Sequence, residues 1–412
     1  MKVLGLITEY NPFHFGHKYH LESSKKALNT THTVAVMSGS FVQRGQPSIV
    51  DKWTKAKMAI DNGVDLVIEL PFVYAVQSAE LFALGAVKVL DSIKIVDYIS
   101  FGSESGDLSP LQNLADILLE EPRVFKESLR DCLSKGLSFS ASRSKAVETA
   151  YNTLFSTNND SIASILKKSN NILGIEYLKA IKRLNSNISP YTIPRLGHDY
   201  NDTTIDDKIS SATGIRNKFF QDGISSIKDL LPHSSYHHLS NFHKEYGDFN
   251  TMERYSRILD YLLLTKPLDD LKDIFDMEDG LENRFVKYNQ KTNGIDDLIQ
   301  GVSTKRYPKT RIQRILIHLL LDLNRADINN IYDQENSYIR ILGSNHRGLD
   351  LLKQIKKISN IHIISKFADY KYIKNDNINL ILDYEKKATD LFFYGINSKK
   401  YNMDYLISPY IK

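Results

Sequence analysis

Short apolar runs separated by longer amphipathic stretches organise the first hundred residues. The runs KVLGLI (2–7), TVAVMS (33–38), DLVIEL (65–70) and VDYISFG (96–102) are mostly apolar and rich in β-branched residues. Between them, 17–28, 52–62 and 76–91 carry helical signals. Strands apolar at successive positions are buried on both faces, and helical crossovers between neighbours require parallel pairing. The pattern predicts an α/β fold with a Rossmann-like, doubly wound parallel sheet. Ligands of such sheets bind beyond the carboxyl ends of the strands.

The pattern turns helical and polar over 108–165, which reads as a helical insertion. A strand signal returns at SPYTIPRLG (189–197), followed by DDKISSATGIRNKF (206–219), and these close the same sheet domain. The first domain is therefore expected over 1–225 and a mainly helical region over 226–412. Helical periodicity dominates YSRILDYLLL (255–264) and RIQRILIHLLLDL (311–323). A small mixed piece follows: YIRILG (338–343), a helix near 347–357, IHIIS (361–365) and a polar C-terminal helix.

Composition narrows the class. A chain of 412 residues is long for one core, and 42% hydrophobic with 25% charged residues is ordinary for a globular protein. The net charge of +4 means that any basic surface is local. Cys132 is the only cysteine, which excludes an internal disulfide framework and a multi-cysteine zinc site. No apolar stretch reaches the ~18 residues that cross a bilayer. MKVLGLITEYN breaks at Glu9 and Asn11 before it forms a secretory core. A cytoplasmic protein with neither a membrane nor DNA as partner is expected.

The stretch EYNPFHFGHKYH (9–20) follows the first strand, where strand carboxyl ends meet a helix N-terminus and form a natural phosphate site. Its glycine permits close backbone approach, and its imidazoles can donate to phosphate oxygens. Positioned donors count most where charge develops in the transition state, and adenylyl transfer asks for little else. His14 and His17 are thus candidate catalytic residues at a nucleotide α-phosphate. Two other readings stand beside this one. The histidines could cap or pack a polar loop, or His14, His17 and His20 could hold zinc, although no H-E-x-x-H pattern is present.

ISSATGIR (209–216) resembles the hydroxyl-rich motif ending in arginine found late in the HIGH-type nucleotidyltransferase superfamily. Ser211, Thr213 and Arg216 could hold β- and γ-phosphates, or Ser210 or Ser211 could be a plain helix cap. STKRYPKTRIQRILIH (303–318) is the clearest basic patch, with Lys305, Arg306, Lys309, Arg311 and Arg314 and no acidic residue. Helical spacing puts Arg311, Arg314 and His318 on one face opposite Ile315 and Leu319, a candidate for RNA phosphates with Tyr307 to stack on a base. A charge run of this kind can equally be a solvated face. Arg44 lies on the ligand rim, and Lys52, Lys55 and Lys57 read as the exposed face of a helix. QSAE (77–80) reads as a helix cap, and Cys132 as buried.

The blocks ITEYNPFHFGH, MSGSFVQRGQP, DLVIELPFVYAVQSAE, FGSE, NNILGIEYLKA and RYPKTRIQRILIH run in order from residue 6 to 318. Together they resemble the bacterial tRNA(Met) cytidine acetate ligases. That resemblance implies a ligase that uses ATP and acetate to acetylate the wobble cytidine of elongator tRNA(Met) to N4-acetylcytidine, through an acetyl-adenylate. It implies ATP binding by the loop Ile7, Thr8, Glu9, Tyr10, Asn11, Pro12, Phe13, His14, Phe15, Gly16, His17, Lys18, Tyr19 and His20. Gly102, Asn170 (or its neighbour Asn171) and Arg195 would be further contacts. Ser40 stands where the family pattern has asparagine, and Phe15 fills the variable place of H-x-G-H. Magnesium is expected with the ATP, and no residue is assigned to a metal. The rivals are a nucleotidyltransferase that adenylylates a small phosphate ester and a non-catalytic RNA-binding protein.

Overall fold

The computed structural model describes residues 1–155, 162–195, 211–332 and 338–412. The strands are β1 (Val3–Thr8), β2 (His32–Ser38), β3 (Phe41–Val42), β4 (Gln46–Pro47), β5 (Leu66–Leu70), β6 (Tyr98–Ser103), β7 (Ser189–Pro194), β8 (Tyr338–Ser344), β9 (His362–Ile364) and β10 (Tyr410–Ile411). The main sheet runs β10-β8-β5-β2-β1-β6-β7, with β9 beside β8. The pairs among β5, β2, β1, β6 and β7 are parallel, in the register Leu6↔Ala35 and Leu6↔Ser100. β1 sits at the reversal of strand order, so the crevice between the carboxyl ends of β1 and β6 is the topological switch point.

Successive strand residues feed two different cores, as a doubly wound sheet requires. Val3, Val34, Val36 and Ile68 pack on one face against Ala83, Ala86 and Leu90 of the helix Ala79–Ser92. Leu4, Leu6, Ala35 and Met37 pack on the other against Leu21 and Trp53, from the helices Phe15–Leu28 and Lys52–Asp61. Ser78 caps the helix Ala79–Ser92 by accepting from the Leu81 amide, so QSAE begins a helix. The insertion over 108–165 is helical throughout its described part, with Cys132 buried in it.

Three expectations change. First, the sheet crosses the boundary drawn at 225. β8 pairs antiparallel with β5, so the piece read as small and separate completes the main sheet. Second, Lys52 and Lys55 are fully buried rather than facing solvent. The helix Lys52–Asp61 lies under β8 and the loop after β2, so its polar positions face other elements. Third, the helix Lys309–Leu321 has no open cationic face, because His318 is as buried as Ile315 and Leu319. Residues 196–210, with Ser210 and the first part of the 206–219 helix reading, lie outside the described residues.

Candidate active site

The chain leaves β1 through Tyr10, whose φ of 47° is left-handed, and a cis peptide between Asn11 and Pro12. Three interior side chains fix this turn. Tyr10 and Phe13 are buried and pack against the His17 ring at centroid distances of 5.0 and 5.7 Å. Asn11 Oδ1 accepts from the Ile49 amide at 2.9 Å. These residues therefore shape the loop from within.

The helix Phe15–Leu28 is capped by histidine side chains. His14 Nδ1 accepts from the Gly16 amide at 3.1 Å, and His17 Nδ1 accepts from the His14 amide at 3.3 Å. The two rings stack at 3.8 Å. An Nδ1 that accepts carries no proton, so both imidazoles are held as the neutral tautomer with Nε2–H available. Burial, with Arg195 and Arg216 nearby, pushes His14 down to about 3, and burial with His14 alongside lowers His17 well below the ordinary imidazole range. Both rings are therefore neutral donors. His20 turns away to Ser100 Oγ at 3.1 Å, and burial brings it to about 4. The three histidines thus do not converge on a metal. Among the described residues no group of three or more His, Cys, Asp or Glu is arranged to hold one.

This has a consequence for stability. An imidazole that titrates near 3 in the fold and 6.5 in the unfolded chain is protonated first in the unfolded chain. Its contribution is present above 6.5 and is lost as pH falls toward 3, at about 1.4 kcal/mol per pH unit. Urea midpoints between pH 6.5 and 4.5 should fall less steeply in His14→Asn than in the unaltered chain. Identical slopes would show that His14 is not held neutral.

Two arginines flank the histidines. Arg216 donates to Asn11 O at 2.8 Å and to Thr213 Oγ1 at 3.1 Å, which ties the second motif to the first loop. Ser211 caps its helix by accepting from the Gly214 amide at 3.1 Å, so the capping reading of that serine is realised. Arg195 donates to Asn170 Oδ1 at 2.9 Å. A Cβ at Gly102 would sit 3.0 Å from the Arg195 side chain, so this glycine makes room for Arg195 across the end of β6. Arg44 is exposed at the turn between β3 and β4, close enough to Arg216 to repel it. Lys18 is on the rim with Glu22 at 3.9 Å.

Asn170 and Asn171 separate cleanly. Asn171 is 2% exposed, and its Oδ1 accepts from the Glu104 and Ser105 amides. Asn170 is held between Glu104 and Arg195 at the open side. Glu104 was legible only as part of the FGSE block, and the structure makes it the residue that orients Asn170. Lys55, expected on an exposed helix face, is instead buried beneath the site. Its ammonium donates to Ser38 O, Gly39 O and Glu9 O at 2.7, 2.8 and 3.2 Å, joining the ends of β1 and β2 beneath the site. Burial, opposed by Glu9, Glu69 and Asp51, brings it down to about 7. Its apolar neighbours Ala56, Met58 and Ala59 were the available signal.

The basic patch is rearranged by tertiary contacts. Arg306 and Arg311 both pair with Glu278 at 2.7 Å, Arg311 pairs with Asp276 at 2.8 Å, and Arg314 is buried with Asp276 at 4.0 Å. Gly45, at φ 74°, packs against the Arg314 backbone, where any side chain would strike it. Lys305 and Lys309 stay exposed with no ion pair among the described residues. A cation neutralised by a nearby carboxylate releases less on meeting a phosphate.

Known proteins resemble this chain along its whole length. The family described as HIGH Nucleotidyl Transferase matches residues 1–405. A Thermoanaerobacter protein named tRNA(Met) cytidine acetate ligase is 45% identical over the full length of both chains. This chain belongs to the tRNA(Met) cytidine acetate ligase family. A relative of that name from Clostridium perfringens is 42% identical over the same extent. The crystal structure of Thermotoga maritima TmcAL bound with alpha-thio ATP superposes with a TM-score of 0.91 at 34% identity, covering 100% of this chain and 99% of that one. The apo form of the same protein gives 0.92. The family fold thus accounts for the sheet crossing at 225, since the likeness runs through both halves. Among the described residues, no helix is long and apolar enough to cross a membrane.

Proposed function

We propose that this protein activates acetate with ATP and transfers the acetyl group to the wobble cytidine of elongator tRNA(Met), leaving N4-acetylcytidine. The observation that carries this reading is the stacked His14–His17 pair between Arg195 and Arg216, with both Nδ1 atoms engaged by the helix and neither Nε2 hydrogen-bonded among the described residues. Neutral donors of this kind stabilise charge on the α-phosphate without repelling the arginines that neutralise the rest of the triphosphate. An acetate oxygen attacks the α-phosphorus, the bond to the β-phosphate breaks, and pyrophosphate leaves. The cytidine amine then attacks the acetyl carbonyl, the bond to AMP breaks, and the amine loses a proton. Ser211, Thr213 and Arg216 would face the outer phosphates, and Asn170, Arg195 and Gly102 the nucleoside side. Of the basic patch, Lys305 and Lys309 are free to meet RNA, while Arg306, Arg311 and Arg314 also brace Glu278 and Asp276.

Magnesium is a separate matter. The donors around His14 and His17 are nitrogens, and the nearby carboxylates of Glu9 and Glu104 are committed to the Gln43 amide and to Asn170 and Asn171. That set does not fit a resident hard cation, so no step is routed through one.

The test is to supply the pure protein with ATP, labelled acetate and total bacterial tRNA. Label in N4-acetylcytidine of tRNA(Met) is expected, and label in any other nucleoside or in none would reject the reading. Arg195→Ala should weaken a non-hydrolysable ATP analogue by about 10- to 100-fold, the loss of one charge-assisted bond, with tRNA affinity unchanged. Calorimetry measures both, and unchanged nucleotide affinity would remove Arg195 from the site.

A further inference from the structure

The helical insertion carries a surface that the reaction leaves unused. Its helices Arg123–Ser134 and Phe139–Phe155 pack side by side as a hairpin, with Ser128 Oγ donating to Thr149 Oγ1 at 3.3 Å and Phe125, Cys132, Ala146 and Val147 buried between them. The tip is different. Residues 132–147, CLSKGLSFSASRSKAV, contain Lys135, Arg143 and Lys145 and no carboxylate. Phe139 is 64% exposed and Leu137 41%, although the hairpin has a core that could have taken them. Lys135 pairs with Asp131 at 2.6 Å, whereas Arg143 and Lys145 are exposed and have no ion pair among the described residues. The sequence marks 303–318 as the basic patch, yet tertiary contacts pair three of its cations with carboxylates, whereas Arg143 and Lys145 of this tip have no ion pair among the described residues.

The root of the insertion also matters. It leaves the sheet at the carboxyl end of β6, where Glu104 holds Asn170 beside Arg195, and the helix Leu108–Glu120 leads from that rim to the hairpin. RNA loops expose unstacked bases that stack on aromatic side chains, with phosphates close by for cations. A lone exposed ring flanked by unpaired cations matches that chemistry. We propose that the insertion tip grips unpaired nucleotides of the RNA substrate, with a base stacked on Phe139 and adjoining phosphates on Arg143 and Lys145. This rests on the reading of the substrate as a tRNA.

The full-length protein and its variants can be titrated with total bacterial tRNA over a range of salt. Phe139→Ala should weaken binding by about 5- to 150-fold at every salt concentration, the usual worth of one stacked base, with the salt slope unchanged. Phe139→Tyr should bind as tightly as the unaltered chain. Arg143→Ala with Lys145→Ala should flatten the slope of log affinity against log salt by about 1.4, at roughly 0.7 per single-strand phosphate contact. All three variants should keep acetate-dependent pyrophosphate exchange, since none touches the nucleotide site. Unaltered tRNA affinity and slope in both alanine variants would overturn the proposal. So would self-association of the unaltered chain on sedimentation that Phe139→Ala abolishes while RNA binding stays intact, which would make the tip a contact between copies. Failure of the unaltered protein to acetylate tRNA that it still binds through Phe139 would reject the catalytic reading alone. Absence of any tRNA binding would reject both.

Discussion

His14→Ala and His17→Ala should each lower acetate-dependent exchange of pyrophosphate into ATP by ~10²–10³-fold, the usual cost of removing one transition-state donor. The structure sharpens this expectation, because each ring does two jobs. Nδ1 caps the helix Phe15–Leu28, and in the proposed mechanism Nε2–H donates to the substrate. Alanine removes both functions, so a stability loss of about 1 kcal/mol from the missing cap would accompany the rate loss. Asparagine at position 14 separates them. Its Oδ1 can still accept from the helix amide, as asparagine commonly does at a helix start, but no donor reaches the place of Nε2. His14→Asn should therefore keep its helix and remain as slow as alanine. Exchange in His14→Asn at near the unaltered rate would show that the histidine only caps.

The second large effect concerns stability. Lys52, Glu69, Arg340 and Asp404 form a buried charge cluster: Lys52 meets Glu69 and Asp404 at 2.8 Å each, and Arg340 meets them at 3.1 and 2.6 Å. Against the cost of burial, Asp404 and Glu69 hold the Arg340 guanidinium above its ordinary range. Beside them, burial and Glu69 raise the Glu385 carboxyl well above the usual range, which keeps it neutral while it accepts from the Phe72 amide. Two cations thus balance two anions. Arg340→Met would leave both carboxylates sharing one lysine without water, and breaking such a pair typically costs ~3–5 kcal/mol. Urea denaturation should show that loss. A change below ~1 kcal/mol would mean that water or a neighbour replaces the guanidinium. The cluster joins β5, β8 and the C-terminal helices, so the variant also tests whether the last 75 residues are integral to the nucleotide-binding sheet.

Legibility differed from element to element. The parallel core was open to sequence reading because strands buried on both faces must be apolar at every position, and TVAVMS and DLVIEL state that locally. The H-x-G-H turn was legible because a strand followed by a turn and a helix start has one standard geometry. Lys52 and Lys55 were read wrongly, since a lysine in a helix is usually solvated, and only the packing of β8 and the loop after β2 over that helix reveals the carbonyls and carboxylates that receive them. Arg311 and Arg314 were legible as charges but not as partners, because Asp276 and Glu278 lie more than thirty residues away in the chain.

The sequence alone determined the alternation of strands and helices in the parallel core, the place of the H-x-G-H turn after β1 and the family. Each is written in local patterns of apolar spacing, glycine, histidine and helix-start residues. Only the tertiary structure decided the neutral tautomers of His14 and His17, the burial of Asn171 beside an open Asn170, the joining of β8 to β5 and which cations remain free. Those outcomes depend on burial and on partners brought together across tens to hundreds of residues. Desolvation and Coulomb energies follow distance in space, which the order of residues does not reveal.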